Sequence, residues 1–231
     1  MTNKQIVSEI INDLHALQID DRVSERYVLS KLRYYNGLFL KRENDTLRLF
    51  YYDNIWTNIE CITMEEVEAS QCLGVTIPKV NRYMRSVLPI PAMYSYKNGP
   101  MVKEVLPIDE GTSYQPSSPI DFIKITKRDF PGPLRYYWFR NGHLIIPNGP
   151  EGVSMTACFE ERWKALQLSS CNTPSCLDPM DDEFPCPAHL VSTVRQEALK
   201  DLFNFYKRNV NDEVPDLDTN NKTERPDIGN K

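Results

Sequence analysis

The spacing of apolar residues changes twice along this chain, and that change limits the fold more than any other feature. Ile6, Ile10, Leu14 and Leu17 recur at steps of four, four and three, the single stripe of an α-helix over residues 3–17. A second helix is predicted over 22–41, with Tyr27, Val28, Leu32, Tyr35 and Phe39 as core candidates. Asp20 and Asp21 break the first stripe and can cap this second helix. Gly37 costs about 1 kcal/mol relative to Ala inside a helix, which predicts a bend or an early end. The short link predicts that the two helices pack as a hairpin. The helical period returns over 187–208, where Leu190, Val194, Ala198, Leu202 and Phe205 or Tyr206 form the stripe. Pro187 suits a first turn, where its missing amide costs nothing.

Between these helices the period falls to near two. Short β-rich runs are predicted at 47–52, 54–62, 86–90, 92–96, 101–108, 134–140, 143–147 and 153–160. Lys97-Asn98-Gly99-Pro100 reads as a turn. Asn141-Gly142 between two apolar runs is the strongest hairpin signal, because both residues tolerate positive φ. Ser118 precedes Asp121 at capping-box spacing, which predicts a short helix over 119–128. The fold class is therefore α+β, with terminal helices forming a helical layer and a large β-rich lobe inserted between them. The expected units are a helical hairpin (1–42), the lobe (43–165), an extended loop (166–186), a C-terminal helix on the N-terminal pair (187–208) and an extended tail (209–231). The tail is rich in Asn, Asp, Pro and Lys and has too few bulky apolar residues for a core of its own.

A chain of 231 residues, 41% hydrophobic and 26% charged, can bury a core as a soluble globular protein. No apolar run approaches the ~18 residues a membrane span needs. The N-terminus has no signal-peptide pattern, so the expected site of synthesis and assembly is a cytoplasm. The net charge of -5 and the short, balanced basic clusters do not suit tight DNA binding, which needs many phosphate contacts. A protein that merely surrounds DNA is better served by mild acidity.

The search for chemistry yields no catalytic residues and no cofactor. There is no phosphate-binding glycine loop and no nucleophile elbow. The three histidines, His15, His143 and His189, fall on separate predicted elements and read as structural. Asp178, Asp181, Asp182 and Glu183 could hold a hard cation but lack EF-hand spacing, so a solvated loop is the simpler reading. Cys171, Cys176 and Cys186, with Cys158 or His189, are a zinc candidate without zinc-ribbon spacing, and no metal is expected. The cysteines are expected to carry neither catalysis nor a disulfide, since there is no secretion signal. Tyr94, Tyr96, Tyr114, Tyr136, Tyr137, Trp138 and Phe139 lack interleaved basic residues, which favours core and interface over nucleic-acid stacking.

Several segments together resemble a known family: DDRVSERYVLSKLR with FLKR, SVLPIPAMYSYKNG, SPIDFIKITKRDF, RYYWFRNGHLIIPN and LDPMDDEFPCPAHLVSTVRQEALKDLFNFYKR. The series is similar to a neck or tail ring protein of crAss-like and related tailed phages of gut Bacteroidetes, over residues 4–208. The layout also looks like the portal-adjacent adaptors of short-tailed phages. The resemblance implies a structural virion protein and no enzyme. Its homo-oligomeric ring, a dodecamer matching the portal, would join portal to tail, touch neighbouring ring proteins and enclose the genome without sequence-specific contact. Subunit and portal contacts are expected at Phe205, Tyr206, Lys207, Arg208, Val210, Val214 and Leu217. The rival readings are a metal-dependent phage hydrolase using the Asp178–Glu183 group and a regulatory nucleic-acid-binding module.

Overall fold

The computed structural model describes residues 1–17, 23–45, 52–68, 80, 82–96, 99–109, 111–128, 135–169, 171 and 178–212, with helix backbone alone at 44–45 and 208–212. Helix α1 (Asn3–Ala16) opens on a capping box. The Thr2 hydroxyl accepts from the Gln5 amide, and the Gln5 side chain accepts from the Thr2 amide. Helix α2 (Glu25–Asp45) follows, with the Val28 amide donating to the Ser24 carbonyl. The expected caps Asp20 and Asp21 lie outside the described residues. Gly37 does not end α2, which continues to Asp45. A Cβ there would sit 3.1 Å from the Tyr94 ring, so the small residue lets the lobe lie against the helix.

The lobe begins with a 3-10 turn at Asp53–Ile55 and strand β1 (Thr57–Val67), not with a strand from 54. Then come β2 (Tyr83–Ser86), β3 (Ser95–Tyr96), β4 (Gly99–Pro100), β5 (Val102–Pro107) and β6 (Gln115–Pro116). Helix α3 (Pro119–Thr126) carries the expected cap, the Ser118 hydroxyl accepting from the Asp121 amide at 3.0 Å. Strands β7 (Tyr136–Arg140), β8 (His143–Pro147) and β9 (Gly152–Ala157) precede helix α4 (Arg162–Leu166) and the long α5 (Ala188–Asp212). The run expected as a strand at 86–90 is strand only at Ser86. Pro89 and Pro91 bring no amide to a ladder there, and pairing falls upstream on Tyr83–Ser86. The run expected at 47–52 lies outside the described residues except for Tyr52, which is not in a strand.

Among the described residues seven strands form one sheet in the order β5-β9-β1-β2-β8-β7-β6, nearly closed like a barrel. Its inner face buries Ile59, Ile62, Met64, Val105, Leu144, Ile146, Val153, Met155 and Phe159. Strand alternation on β9 is complete, with Val153, Met155 and Ala157 buried. The β7–β8 hairpin turns at Asn141 (φ 51°) and Gly142 (φ 78°), the two positive values a type I′ turn requires. Gly142→Ala is expected to cost about 1–2 kcal/mol through that left-handed backbone. A denaturant midpoint that does not move would contradict the turn.

The terminal helices meet as the sequence predicts. Ile6, Ile10 and Leu14 of α1, Val28 and Leu32 of α2, and Leu190, Val194, Ala198 and Leu202 of α5 form one buried cluster. Arg195 spans two turns of α1, reaching Glu9 and Asp13 at 2.6 Å each. A separate cluster joins layer to lobe: Leu40 of α2 packs with Ile55, Trp56, Tyr94, Met101 and Cys158. Buried Asn36 adds a polar tie, donating to the Pro185 carbonyl at 2.8 Å and to the Tyr94 hydroxyl at 3.3 Å. Fold class and layout therefore match the expectation.

Candidate functional site

The residues that sequence analysis set aside for chemistry have structural work. His15 is exposed on α1. His143 Nδ1 lies 2.7 Å from the Ser86 carbonyl in the sheet. His189 sits 5.2 Å from the Tyr52 ring and 4.0 Å from Glu43. The acidic segment laces the start of α1. The carbonyls of Asp182 and Met180 accept from the Asn3 and Lys4 amides, and Phe184 donates to the Met1 carbonyl. Asp178 caps its own turn through the Met180 amide, Glu183 pairs with Arg162, and Asp182 accepts from the Trp163 amide. Burial raises the Asp182 pKa above the usual carboxylate value, with Arg162 and the two amides opposing. Among the described residues no three His, Cys, Asp or Glu side chains converge as a metal requires, which argues against the hydrolase reading.

The cysteines need a correction. Cys61 and Cys171 form a disulfide, with Cα atoms 5.6 Å apart. The absence of a secretion signal spoke to compartment, and it carried no information about which cysteines folding would bring together. Cys61 takes φ 55° at the register shift between Ile59 and Ile62, a bulge in β1, and there it meets Cys171 in the segment after α4. The bond also removes Cys171 from the zinc candidate, while Cys176 lies outside the described residues. Cys158 and Cys186 are buried thiols. Burial pushes the Cys158 pKa well up and that of Cys186 to about 12, so neither is a ready thiolate.

Of the expected contact residues, Phe205 is 43% exposed, its ring tilted against Tyr27 at 5.5 Å and edge-on to Tyr206 at 5.3 Å. The Lys207 ammonium lies 5.6 Å over the Phe203 ring. Arg208 and Val210 are on the backbone of α5, and Val214 and Leu217 lie outside the described residues. Tyr34 and Leu38, one helical turn apart on α2, are also exposed, a pair the core pattern of that helix did not single out.

A groove of about 460 Å³, which no local sequence pattern announces, lies where the sheet fails to close. Tyr96, Pro100 and Val102 line one side, and Pro116–Pro119 with Tyr137–Phe139 line the other. The aromatic run was visible, but its split was not: Tyr94, Tyr137 and Trp138 are buried, whereas Tyr96 and Phe139 are only half-buried. No described helix is long and apolar enough to cross a membrane.

A helical layer with Tyr34 and Phe205 exposed, a curled β lobe and an acidic segment hydrogen-bonded to the start of α1 describe a scaffold with no metal-ligating cluster among the described residues. The chain matches the family model of phage tail ring protein 2 over residues 5–225 and belongs to that family. A search of the curated proteins gives no match. The family places the protein in the neck and tail region of the virion as a structural ring component, not an enzyme.

Proposed function

We propose that copies of this chain close into a ring in the phage neck that joins the portal to the tail and surrounds the DNA channel. The family match across 5–225 carries the reading. A ring next to the portal would share its symmetry, so twelve copies are assigned, assembled in the host cytoplasm. The net charge of -5 suits a channel that lets DNA pass without gripping its phosphates. The hairpin 1–42, the lobe 43–165, the loop 166–186, the helix 187–208 and the tail 209–231 act as the working units.

The end of α5 and the tail supply the contacts between subunits and with the portal, through Phe205, Tyr206, Lys207, Arg208, Val210, Val214 and Leu217. The exposure of Phe205 supports this. Large aromatics are enriched where proteins meet. Deleting 209–231 is expected to leave the monomer folded, with far-ultraviolet circular dichroism lowered by no more than the end of α5 accounts for, while virions assemble poorly or lose their genome. Tail-deleted virions that retain DNA normally would contradict this role.

A further inference from the structure

We infer that the groove beside β7 receives the C-terminal segment of a neighbouring copy of this chain, with Leu217 as its apolar anchor. The inference rests on the ring reading, which supplies the neighbour, and adds what holds adjacent subunits together.

The groove is built for an extended chain. Its walls are Tyr96, Pro100 and Val102 against Pro116, Tyr137 and Phe139, apolar surfaces that grip a peptide without demanding a sequence. One wall also offers main-chain hydrogen bonds. Arg140 and His143 flank the two-residue turn and pair with each other. Alternation along the strand then points the backbone N–H and C=O of Phe139 away from β8. On that outer side the Arg135 and Tyr137 carbonyls accept from the Gln115 and Ser117 amides. Phe139 is the next rung, but the chain leaves at Ser118 to start α3, and no described strand continues the ladder. An open edge of this kind is a template for one more strand.

The composition and reach of the C-terminal segment select the occupant. Residues 212–218 read Asp-Glu-Val-Pro-Asp-Leu-Asp, with four acids, no base and three apolar residues. Geometry makes the contact one between copies. Helix α5 runs antiparallel to α2: His189 faces Glu43, Asp201 pairs with Lys31, and the Phe205 ring lies tilted against Tyr27. The lobe touches α2 as far as Arg33, which pairs with Glu161, while the strand that enters the groove leaves α2 at Gly37, where Tyr94 packs. From Gly37 to the level of Tyr27 is about 15 Å along the helix, and α5 runs about 10 Å further to Asp212. The five residues from Asp212 to Leu217 span at most about 18 Å. That reach is shorter than the roughly 25 Å back to the level of Gly37, so the groove it enters is assigned to another copy.

The test is a cysteine cross-link in the full-length chain carrying Phe139→Cys and Leu217→Cys, with each single substitution as control, in purified protein and in virions. The expected product is a ladder of covalent oligomers on a denaturing gel under non-reducing conditions. A cross-link closed within one chain, or none beyond the controls, overturns the inference. A second measurement leaves the groove unsubstituted. A peptide of residues 209–231 titrated into the full-length protein should give a saturable change in tryptophan fluorescence, at least tenfold weaker with Leu217→Asp in the peptide. No saturation by about 1 mM, or equal binding of both peptides, also overturns it. Virions that contain the ring but show no cross-link would remove this contact and leave the ring reading standing. Virions that lack the chain would remove the ring reading itself.

Discussion

Cys171→Ser is expected to lower the stability of the isolated protein by about 5 kcal/mol, at the upper end of what a single substitution costs. Cys61 and Cys171 are 110 residues apart in sequence, so their bond closes a loop that takes in almost the whole β lobe. Chain entropy in the unfolded state falls with the logarithm of that loop length, which gives the figure. The bond also fixes the segment after α4 to the bulge of β1, beside buried Ser169. Urea melts of the native protein with and without reductant, and of the variant, measure the effect. The native midpoint should drop on reduction to that of the variant, and reductant should leave the variant unmoved. Equal midpoints throughout would mean that the two thiols stay unbonded in solution. In a reducing host cytoplasm the bond would be expected to close only after the protein leaves it.

Leu40→Ala is expected to cost about 2–5 kcal/mol and to do so in a single transition. Leu40 is fully buried where the helical layer meets the lobe, among Ile55, Trp56, Tyr94, Met101 and Cys158. The same helix places Leu32 in the core of the layer, so α2 belongs to both cores. Truncation leaves a cavity at the junction, and the tie from Asn36 to Tyr94 and Pro185 resists its collapse. Far-ultraviolet circular dichroism, which follows the helices, and tryptophan fluorescence, which follows Trp56, Trp138 and Trp163 in the lobe, should report one midpoint. Two separate midpoints would show that layer and lobe unfold independently.

What the sequence made legible was whatever a local pattern dictates. The apolar stripes of α1 and α5 name most of the residues that meet in the core, with Leu17 and Phe205 left exposed at their ends, because a helix facing one neighbour must repeat every three or four positions. Asn141-Gly142 located its hairpin because few residues tolerate two consecutive positive φ values. Features set by distant contacts were not legible. Gly37 was read as a weakness within α2, and its reason is the ring of Tyr94, far along the chain. The disulfide escaped because no local pattern links positions 61 and 171. The acids at 178–183 read as a solvated loop, yet that segment is pinned to the start of α1 by main-chain hydrogen bonds. The groove is a gap between strand edges, which only the sheet order reveals.

Whether this chain is a ring-forming structural subunit of the virion is tested most directly by a reconstruction of the head-to-tail region of purified virions, with the chain traced into density and its copies counted. The expected result is a closed ring of this protein between portal and tail, α1, α2 and α5 forming one layer and the lobe another, with DNA on the ring axis. Virions without the chain, or copies scattered outside any closed ring, would contradict it.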